Sequence, residues 1–559
     1  MVFIQKKGLW TWGLDMGWPA FVRATSGDVR HKNSFQIEPD SYSFGTRKRC
    51  GDQPYPKEHD MRQKQEVSDI WARLFPRFSG SSGTLQGQVR EMMVHSILMG
   101  LVPAGSKVPP SRTLATALGL SRNTVSLALQ VLVDKGFLIA APRSGLVVNG
   151  DILLGQAVQA SIQAPTPASV QWDSRLLSRA RQQRNIVKPA NWQDYAYPFV
   201  YGQFDQTLMP LRDWRACAHQ TLFVPAVRKW AQDHINRDSE ALLDQIQHRL
   251  LPARGIMARR DEILVTAGAQ MACYLLANVL LGRKTVVGIE DPGYPDARNN
   301  FRLRTEHVKA LPIDSDGLIA SRVMGQCAYA YVTPSHQCPT TVTMPMARRH
   351  EILALARKND VVLFEDDHES ELNFSGRPLP ALKSLDTDGR VIYLGSLSKT
   401  LAHGLRIGYI VAPAELIREL RALRRLIMRH TPSNNAHTAS LFIAQGHHDA
   451  FIRKLNVTYR ERRDLLTRAF AKYLPEFHIM PSQGGSGAWI QGPAGLNSLA
   501  LTEACAQRGV LIEPGDIFFR KSSVATQCFL RLGYAAIPGN LIDAGVQELA
   551  RAYAALRVR

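Results

Sequence analysis

With 559 residues the chain exceeds what one hydrophobic core serves. At 45% hydrophobic and 21% charged residues its composition is that of a soluble globular protein, not of a disordered chain. A formal net charge of +20 favours a polyanionic partner, nucleic acid first, although a solvated surface accounts for part of any such excess. Seven dispersed cysteines without a C-x-x-C pair exclude a disulfide framework and a thiolate zinc site, and they fit a reducing cytoplasm. No apolar run approaches the roughly 20 residues of a membrane span, and no signal peptide is read.

Residues 1–80 are polar, rich in Gly and basic residues and without period, so a disordered extension is expected there, with Trp71, Phe75 and Phe78 packing at most locally. Residues 81–150 read as a compact unit. Leu85, Val89, Met92, Met93 and Ile97 share one helical face, and Gly100 ends that helix. Ser111 is the expected N-cap of a short helix with Leu114, Ala115 and Leu118 inward, and Gly119 turns the chain. Ser121 caps the next helix, where Val125, Ala128, Leu129 and Leu132 keep helical spacing until Gly136. Residues 137–148 then read as two short strands around Pro142-Arg143-Ser144-Gly145.

That order is a winged helix-turn-helix. Its second helix must enter the DNA major groove, so its first turn should carry hydrogen-bond donors, and it reads Ser121-Arg122-Asn123-Thr124. Arg reaches guanine edges or phosphate, Asn pairs with adenine, and Ser and Thr suit phosphates. Arg112 opens the preceding helix and can clamp the DNA backbone, while Arg143, Ser144 and Gly145 form the wing tip. An ordinary helical bundle with a hairpin is the minor alternative for a bare motif of this kind; its length and its basic balance argue for DNA.

Residues 151–191 are Ala/Gln/Ser/Pro-rich, then basic (Arg175, Arg179, Arg181, Arg184, Lys188), as an interdomain linker would be. In 192–559 helical patterns alternate with apolar strands near 285–289, 328–332, 361–364 and 391–394, which predicts a mainly parallel α/β sheet.

The strongest chemical signal is Ser396-Leu397-Ser398-Lys399, followed by Arg406, beyond the strand at 391–394. A lysine at the carboxyl end of a sheet strand sits where α/β folds place ligands, and its amine can form a Schiff base with an aldehyde cofactor. Ser396, Ser398 and Arg406 supply donors for a phosphate beside it. Gly268-Ala269-Gln270 leads into a helix at 271–280, whose N-terminal amides also suit phosphate. The strand at 361–364 runs into Glu365-Asp366-Asp367, where a carboxylate at the strand end can pair with a protonated pyridine nitrogen, and Tyr294 can stack on a ring. Arg531 offers bidentate capture of a carboxylate. Taken singly, each of these is more safely read as a loop, a solvated acid, a core ring or a structural ion pair. Their joint order over some 350 residues weighs against chance.

The run PPSRTLATALGLSRNTVSLALQVLVDKGFLIAAPRSG resembles the GntR family of bacterial regulators, and 192–559 resembles the fold-type I aminotransferases. Together they resemble the MocR subfamily, a GntR-type head, a linker and an aminotransferase-like body. The resemblance implies a winged helix before a fold-type I body with a mainly parallel sheet, helices on both faces and a small C-terminal α+β domain. It implies pyridoxal 5′-phosphate (PLP) on Lys399, Asp366 at the pyridine nitrogen, Tyr294 stacked, and Ser396, Arg406 and Gly268–Gln270 at the phosphate. It also implies Arg531 at a carboxylate, Arg112, Arg122, Thr124 and Gly145 at DNA, and a homodimer.

Three positions depart from the family pattern. His368 stands where Tyr is usual at the cofactor's phenolic oxygen, Cys338 where aminotransferases carry Asn, with His336 or Gln337 as substitutes, and His403 where Pro is common. The function expected is a PLP-dependent transcription regulator whose amino acid or amine effector reacts at Lys399 and alters DNA binding. An active aminotransferase with a DNA-binding tail is the alternative, with His368 and Cys338 weighing against turnover. A body serving only as a dimerisation scaffold would leave the cofactor constellation without a purpose.

Overall fold

The computed structural model describes residues 70–79, 83–141, 145–153, 170–374, 376 and 378–557. Its packing divides the chain into two units, 1–169 and 170–559. In the first, α1 (Leu85–Leu98), α2 (Ser111–Leu118) and α3 (Arg122–Asp134) precede a hairpin of β1 (Leu138–Ala141) and β2 (Gly145–Val148). The two strands pair antiparallel with Ala141 opposite Gly145. Gly119 and Gly136 take positive φ values of 64° and 76°, left-handed turns that end the two short helices at no steric cost.

Val89, Met92, Met93 and Ile97 are buried as the periodicity requires, but Leu85 is exposed, because α1 begins there under a Thr84 cap and its first side chain lies short of the core. Ser111 is the first helical residue and not the N-cap. Pro110 holds that position in an extended conformation, since consecutive prolines keep the backbone out of the helix until they are passed. Residues 70–79, assigned above to a disordered extension, belong to the head: Trp71 and Phe75 are buried in the same core as Met92, Leu114 and Leu132. The rest of that extension (1–69 and 80–82) and the wing residues Arg143 and Ser144 lie outside the described residues.

The second unit is built on an eight-stranded sheet of β3 (Ile263–Thr266), β4 (Val287–Asp291), β5 (Val308–Asp314), β6 (Gly317–Leu318), β7 (Tyr329–Val332), β8 (Val362–Asp366), β9 (Val391–Ser396) and β10 (Gly408–Val411). Their order is β3-β10-β9-β8-β7-β4-β5-β6. β9, β8, β7, β4 and β5 run parallel, and β10 is antiparallel to both its neighbours. Strands β4, β8 and β9 each continue two residues past the apolar run that announces them, ending on Asp291, Asp366 and Ser396. The ladder thus carries polar residues to its carboxyl edge in fixed positions.

Helix α4 (Ala269–Leu280) follows β3 and packs on the sheet through Ala272, Leu275 and Leu276. A C-terminal layer follows, with α5 (His447–Tyr473), β11 (His478–Ile479), β12 (Gly487–Gln491), β13 (Glu513–Pro514), β14 (Phe529–Gly533) and α6 (Ile542–Arg557) around a second core. Its strand order is β11-β12-β14-β13, with Glu513 opposite Arg531. Residues 170–191, the latter part of the expected linker, belong to this unit: Arg184 pairs with Asp516 at 2.8 Å, and the Gln183 side chain donates to the Asn299 carbonyl. Among the described residues no helix is long and apolar enough to cross a membrane.

Because Trp71 fills the head's core, Trp71→Ala removes about 3–5 kcal/mol from that unit, as large core truncations do. The expected outcome is loss of DNA binding at elevated temperature with the cofactor absorbance of the body unchanged. Intact DNA binding up to the wild-type melting temperature would show that residues 70–79 lie outside the head's cooperative unit.

Candidate functional site

Five loops at the carboxyl ends of β3, β4, β7, β8 and β9 open onto one cavity of about 280 Å³, to which Lys188, Tyr201 and Arg531 contribute from elsewhere in the chain. Lys399 lies on its wall, with Nζ 3.9 Å from Glu369 Oε1 and 4.2 Å from the centre of the Tyr201 ring. Burial pulls its amine down to about 8, Glu369 opposing and Lys188 and Arg531 assisting. A buried amine that sheds its proton near neutrality is a nucleophile in waiting. For Glu369, burial alone would raise the carboxyl; Lys399 and the Ser486 hydroxyl outweigh it and hold the acid below its usual range.

Three consecutive acids end β8, and the pleat separates their roles. Glu365 accepts the amides of Leu382 and Lys383 at 2.7 and 2.8 Å, and Asp367 is bound by Arg254 at 2.7 Å and by Tyr393 at 2.8 Å. Asp366 points the other way, into the cavity. One of its oxygens accepts from Tyr331; the other, Oδ1, is buried without a hydrogen-bond partner, with His368 Nδ1 3.8 Å away. Burial raises its pKa, and a cationic pyridinium opposite Oδ1 would reverse that.

The phosphate donors also converge. Gly268 begins α4 with φ 80°, and a Cβ there would come within 2.9 Å of the Arg406 guanidinium, which donates to the Ala267 carbonyl. Ala269, Gln270, Ser396, Ser398 and Arg406 all line the cavity. Ser396 Oγ accepts the Ser398 amide at 3.3 Å, while Ser398 Oγ is buried and unpartnered. A buried carboxylate oxygen and a buried hydroxyl without partners are costly unless a ligand completes them. An acceptor for a protonated ring nitrogen and a donor for a phosphate, left open in one cavity with Lys399, are what PLP needs. Tyr294 lines the same cavity, its hydroxyl tied to Gln270 and Asp296 at 2.9 and 3.1 Å.

Several sequence expectations are refined here. Arg531 reaches the cavity, but its Nε and Nη2 both lie 2.7 Å from Glu513 Oε2, so a carboxylate of the chain itself already engages it. Gln337 does not stand in for the absent asparagine: its amide nitrogen is spent on Glu290 and on the carbonyls of Pro292 and Cys338, and its oxygen on Thr340. His336 is likewise buried away from the lining. Cys338 does line it, as a thiol pushed up to about 12 by burial. His403 is more than a looser turn, since its ring faces the cavity, stacked on Phe204 with neither nitrogen partnered. Lys188, Tyr201 and Glu513 escaped sequence reading, having no motif around them. The register of the C-terminal sheet, which sets Glu513 opposite Arg531, is what ties Glu513 to a residue that sequence reading had found.

In the head, Arg112, Arg122 and Asn123 are exposed at the starts of α2 and α3, as groove contacts must be, and Gly145 is exposed at the base of the wing. Ser121 and Thr124 are partly committed, their hydroxyls 2.8 Å apart and Ser121 Oγ accepting the Thr124 amide.

Residues 85–148 match the model of bacterial regulatory proteins of the gntR family, and 232–549 match aminotransferase class I and II. The chain is 37% identical to the HTH-type transcriptional regulator TauR of Rhodobacter capsulatus, over 85% of its own length and 97% of that protein's. It is also 29% identical, over 84% and 94%, to the probable rhizopine catabolism regulatory protein MocR of Rhizobium meliloti. The chain belongs to the MocR-type regulators.

Its body also superposes on LysN, an α-aminoadipate aminotransferase from Thermus thermophilus complexed with N-(5′-phosphopyridoxyl)-L-leucine, with a TM-score of 0.63 and 25% identity over 70% of this chain and 100% of that one. As a MocR-type regulator the protein joins a GntR DNA-binding head to a PLP-binding body of aminotransferase fold. For such a body, the rate at which apoprotein gains cofactor absorbance should climb about tenfold per pH unit up to about 8 and then level, because only neutral Lys399 attacks an aldehyde and burial sets that pKa. A rate still climbing at pH 10 would assign Lys399 an ordinary exposed amine.

Proposed function

We propose that this MocR-type regulator senses a primary amine at Lys399 and converts that event into altered operator binding. PLP, when bound, supplies an aldehyde that condenses with amines and a ring that delocalises electrons. The chain's residues divide the remaining work. Asp366 Oδ1 would hold the proton on the ring nitrogen; Ser396, Ser398, Arg406 and the Ala269 and Gln270 amides would hold the phosphate; Tyr294 would cover the ring, and His368 would donate a hydrogen bond where a tyrosine is usual. Lys399 would hold the cofactor through its Nζ, and Glu369, 3.9 Å from that nitrogen, would stabilise a proton on the lysine when an effector amine takes its place. Arg112, Arg122, Asn123 and Thr124 contact the duplex, with Ser121 fixing the first turn of α3, and Arg143, Ser144 and Gly145 are further DNA contacts. The protein acts as a cytoplasmic homodimer; its six described cysteines are free and buried, in keeping with a reducing compartment.

The observation that carries this reading is the unpartnered pair in one cavity with a depressed lysine, Asp366 Oδ1 and Ser398 Oγ. An enzyme of net turnover is disfavoured by the Glu513 carboxylate on Arg531, which a substrate carboxylate would have to displace in every cycle.

Borohydride reduction followed by peptide mass spectrometry should find a pyridoxyl group on Lys399, and Lys399→Ala should abolish both the adduct and any amine response in DNA binding. An adduct on another lysine would overturn the assignment. In the head, Arg122→Ala should weaken operator binding and lower the slope of log affinity against log salt by about one if Arg122 neutralises a phosphate. Unchanged affinity and slope would remove it from the interface.

A further inference from the structure

The net charge of +20 is not concentrated in the head. Residues 81–150 carry six Lys and Arg against two acids, so most of the excess belongs to the rest of the chain. One place in the body gathers cations. Three segments meet there: the stretch around Arg184, the helix Pro295–Arg302, and the turn Gly515–Phe518 with the residues after it. Arg298 is buried and joins two of them from within, its Nη1 donating to the Phe519 carbonyl and its Nη2 to the Ile517 carbonyl, each at 3.0 Å. The Asn299 side chain donates to the Arg184 carbonyl at 2.9 Å, and Arg184 reaches Asp516 at 2.8 Å. Arg302 follows one helical turn after Arg298, on the same side of the helix. Arg520 directly follows Phe519, and its amide donates to Asp291 at 2.8 Å.

These bonds hold together guanidinium groups that repel one another. Burial, Arg302 and Arg184 push Arg298 down to about 10, and burial, Arg520 and Arg184 lower Arg302. The nearby acids do not cancel the excess. Asp516 is taken up by Arg184 and by the Ser522 hydroxyl, and Asp291 by the Arg520 amide. Among the described residues Arg302, Arg520 and Lys521 are exposed and pair with no acid. On an ordinary solvated surface such side chains splay apart. Here the backbone fixes their spacing and leaves their donors free, which suits the oxygens of phosphate groups.

We propose that Arg302, Arg520 and Lys521, with Arg184, form a second DNA-contact surface, on the body, that takes backbone phosphates of the duplex flanking the stretch read by the head. Two observations make DNA the occupant. The same chain carries a GntR head that brings a duplex to the protein, and Arg175, Arg179 and Arg181 continue the basic series from Arg184 along the chain toward that head. Phosphate contacts carry no sequence information; they add affinity and fix the path of the duplex. The surface does not rest on the amine-sensing reading, but it meets it physically, since Ile186 and Lys188 of the Arg184 segment line the cavity.

The test measures the affinity of full-length holoprotein for a random-sequence duplex of about 60 base pairs across a salt series, because non-specific binding rests on phosphates. Arg302→Gln with Arg520→Gln should lower the slope of log affinity against log salt by about two, or about 0.9 for each lost phosphate contact, with the cofactor absorbance unchanged. Arg302→Lys with Arg520→Lys, which keeps both charges, should hold the slope. Arg418→Gln with Arg425→Gln, the same loss of charge at exposed positions of the helix Ala414–Met428, should leave it unchanged. An iron chelate tethered to Arg520→Cys should cleave the bound duplex beyond any cutting by wild type treated alike. An unchanged slope in the Arg302 and Arg520 glutamine pair, an equal fall in the control pair, or no added cleavage overturns the proposal. Inorganic pyrophosphate that binds wild type and not the glutamine pair, with the DNA slope intact, also overturns it and assigns the cluster to a small phosphate ligand.

Discussion

The body is organised around the cost of burying an amine. An ammonium at Lys399 would lose several kcal/mol of hydration in that cavity, so the fold must either neutralise it or pair it. It does part of each. Burial lowers the pKa to about 8, and Glu369 stands 3.9 Å away, close enough to stabilise a proton when one is present and far enough not to fix it. The result is an amine that can exist in either state near neutrality, which an exchange of one amine for another requires. A tighter ion pair would hold the lysine as an inert cation; without the acid, a displaced lysine would have nowhere to place its charge.

The sheet delivers the remaining groups by register. Strands that outrun their apolar stretches by two residues bring Asp366 and Ser396 to the edge with fixed orientation, and the alternation of side chains separates Asp366 from the structural acids on either side. The same rule operates in the C-terminal layer, where antiparallel pairing sets Glu513 directly opposite Arg531. In both places a backbone ladder, not a side-chain contact, decides which charge faces which. That explains how polar atoms such as Asp366 Oδ1 can be left unpartnered: the ladder bears the positional cost, and a ligand collects the hydrogen bond.

Much of this was legible from residue order. The glycine-led start of α4, the acid run after β8, the Ser-x-Ser-Lys turn and the helix-turn-helix each depend on local sequence, and local sequence carries their signal. The failures have two physical causes, the geometry of element boundaries and contacts distant in sequence. Leu85 and Ser111 sit at element boundaries, where proline geometry and the start of a core decide and periodicity does not. Trp71 reads as part of a featureless extension because its partners, Met92 and Leu132 among them, follow later in the chain. Lys188 and Glu513 are more than 300 residues apart, and a basic residue in a polar stretch looks like a solvated one until the fold brings an anion to it.

A regulator of this design must turn binding into a difference between two states, and an effector shifts an equilibrium only by the difference in its free energy of interaction with them. An exchange of amines at Lys399 would be a weak source of such a difference by itself, since one carbon–nitrogen bond would replace another. The larger change lies in what the newcomer's other atoms do, and one group lining the cavity they enter, Lys188, belongs to the chain that continues toward the DNA-binding head.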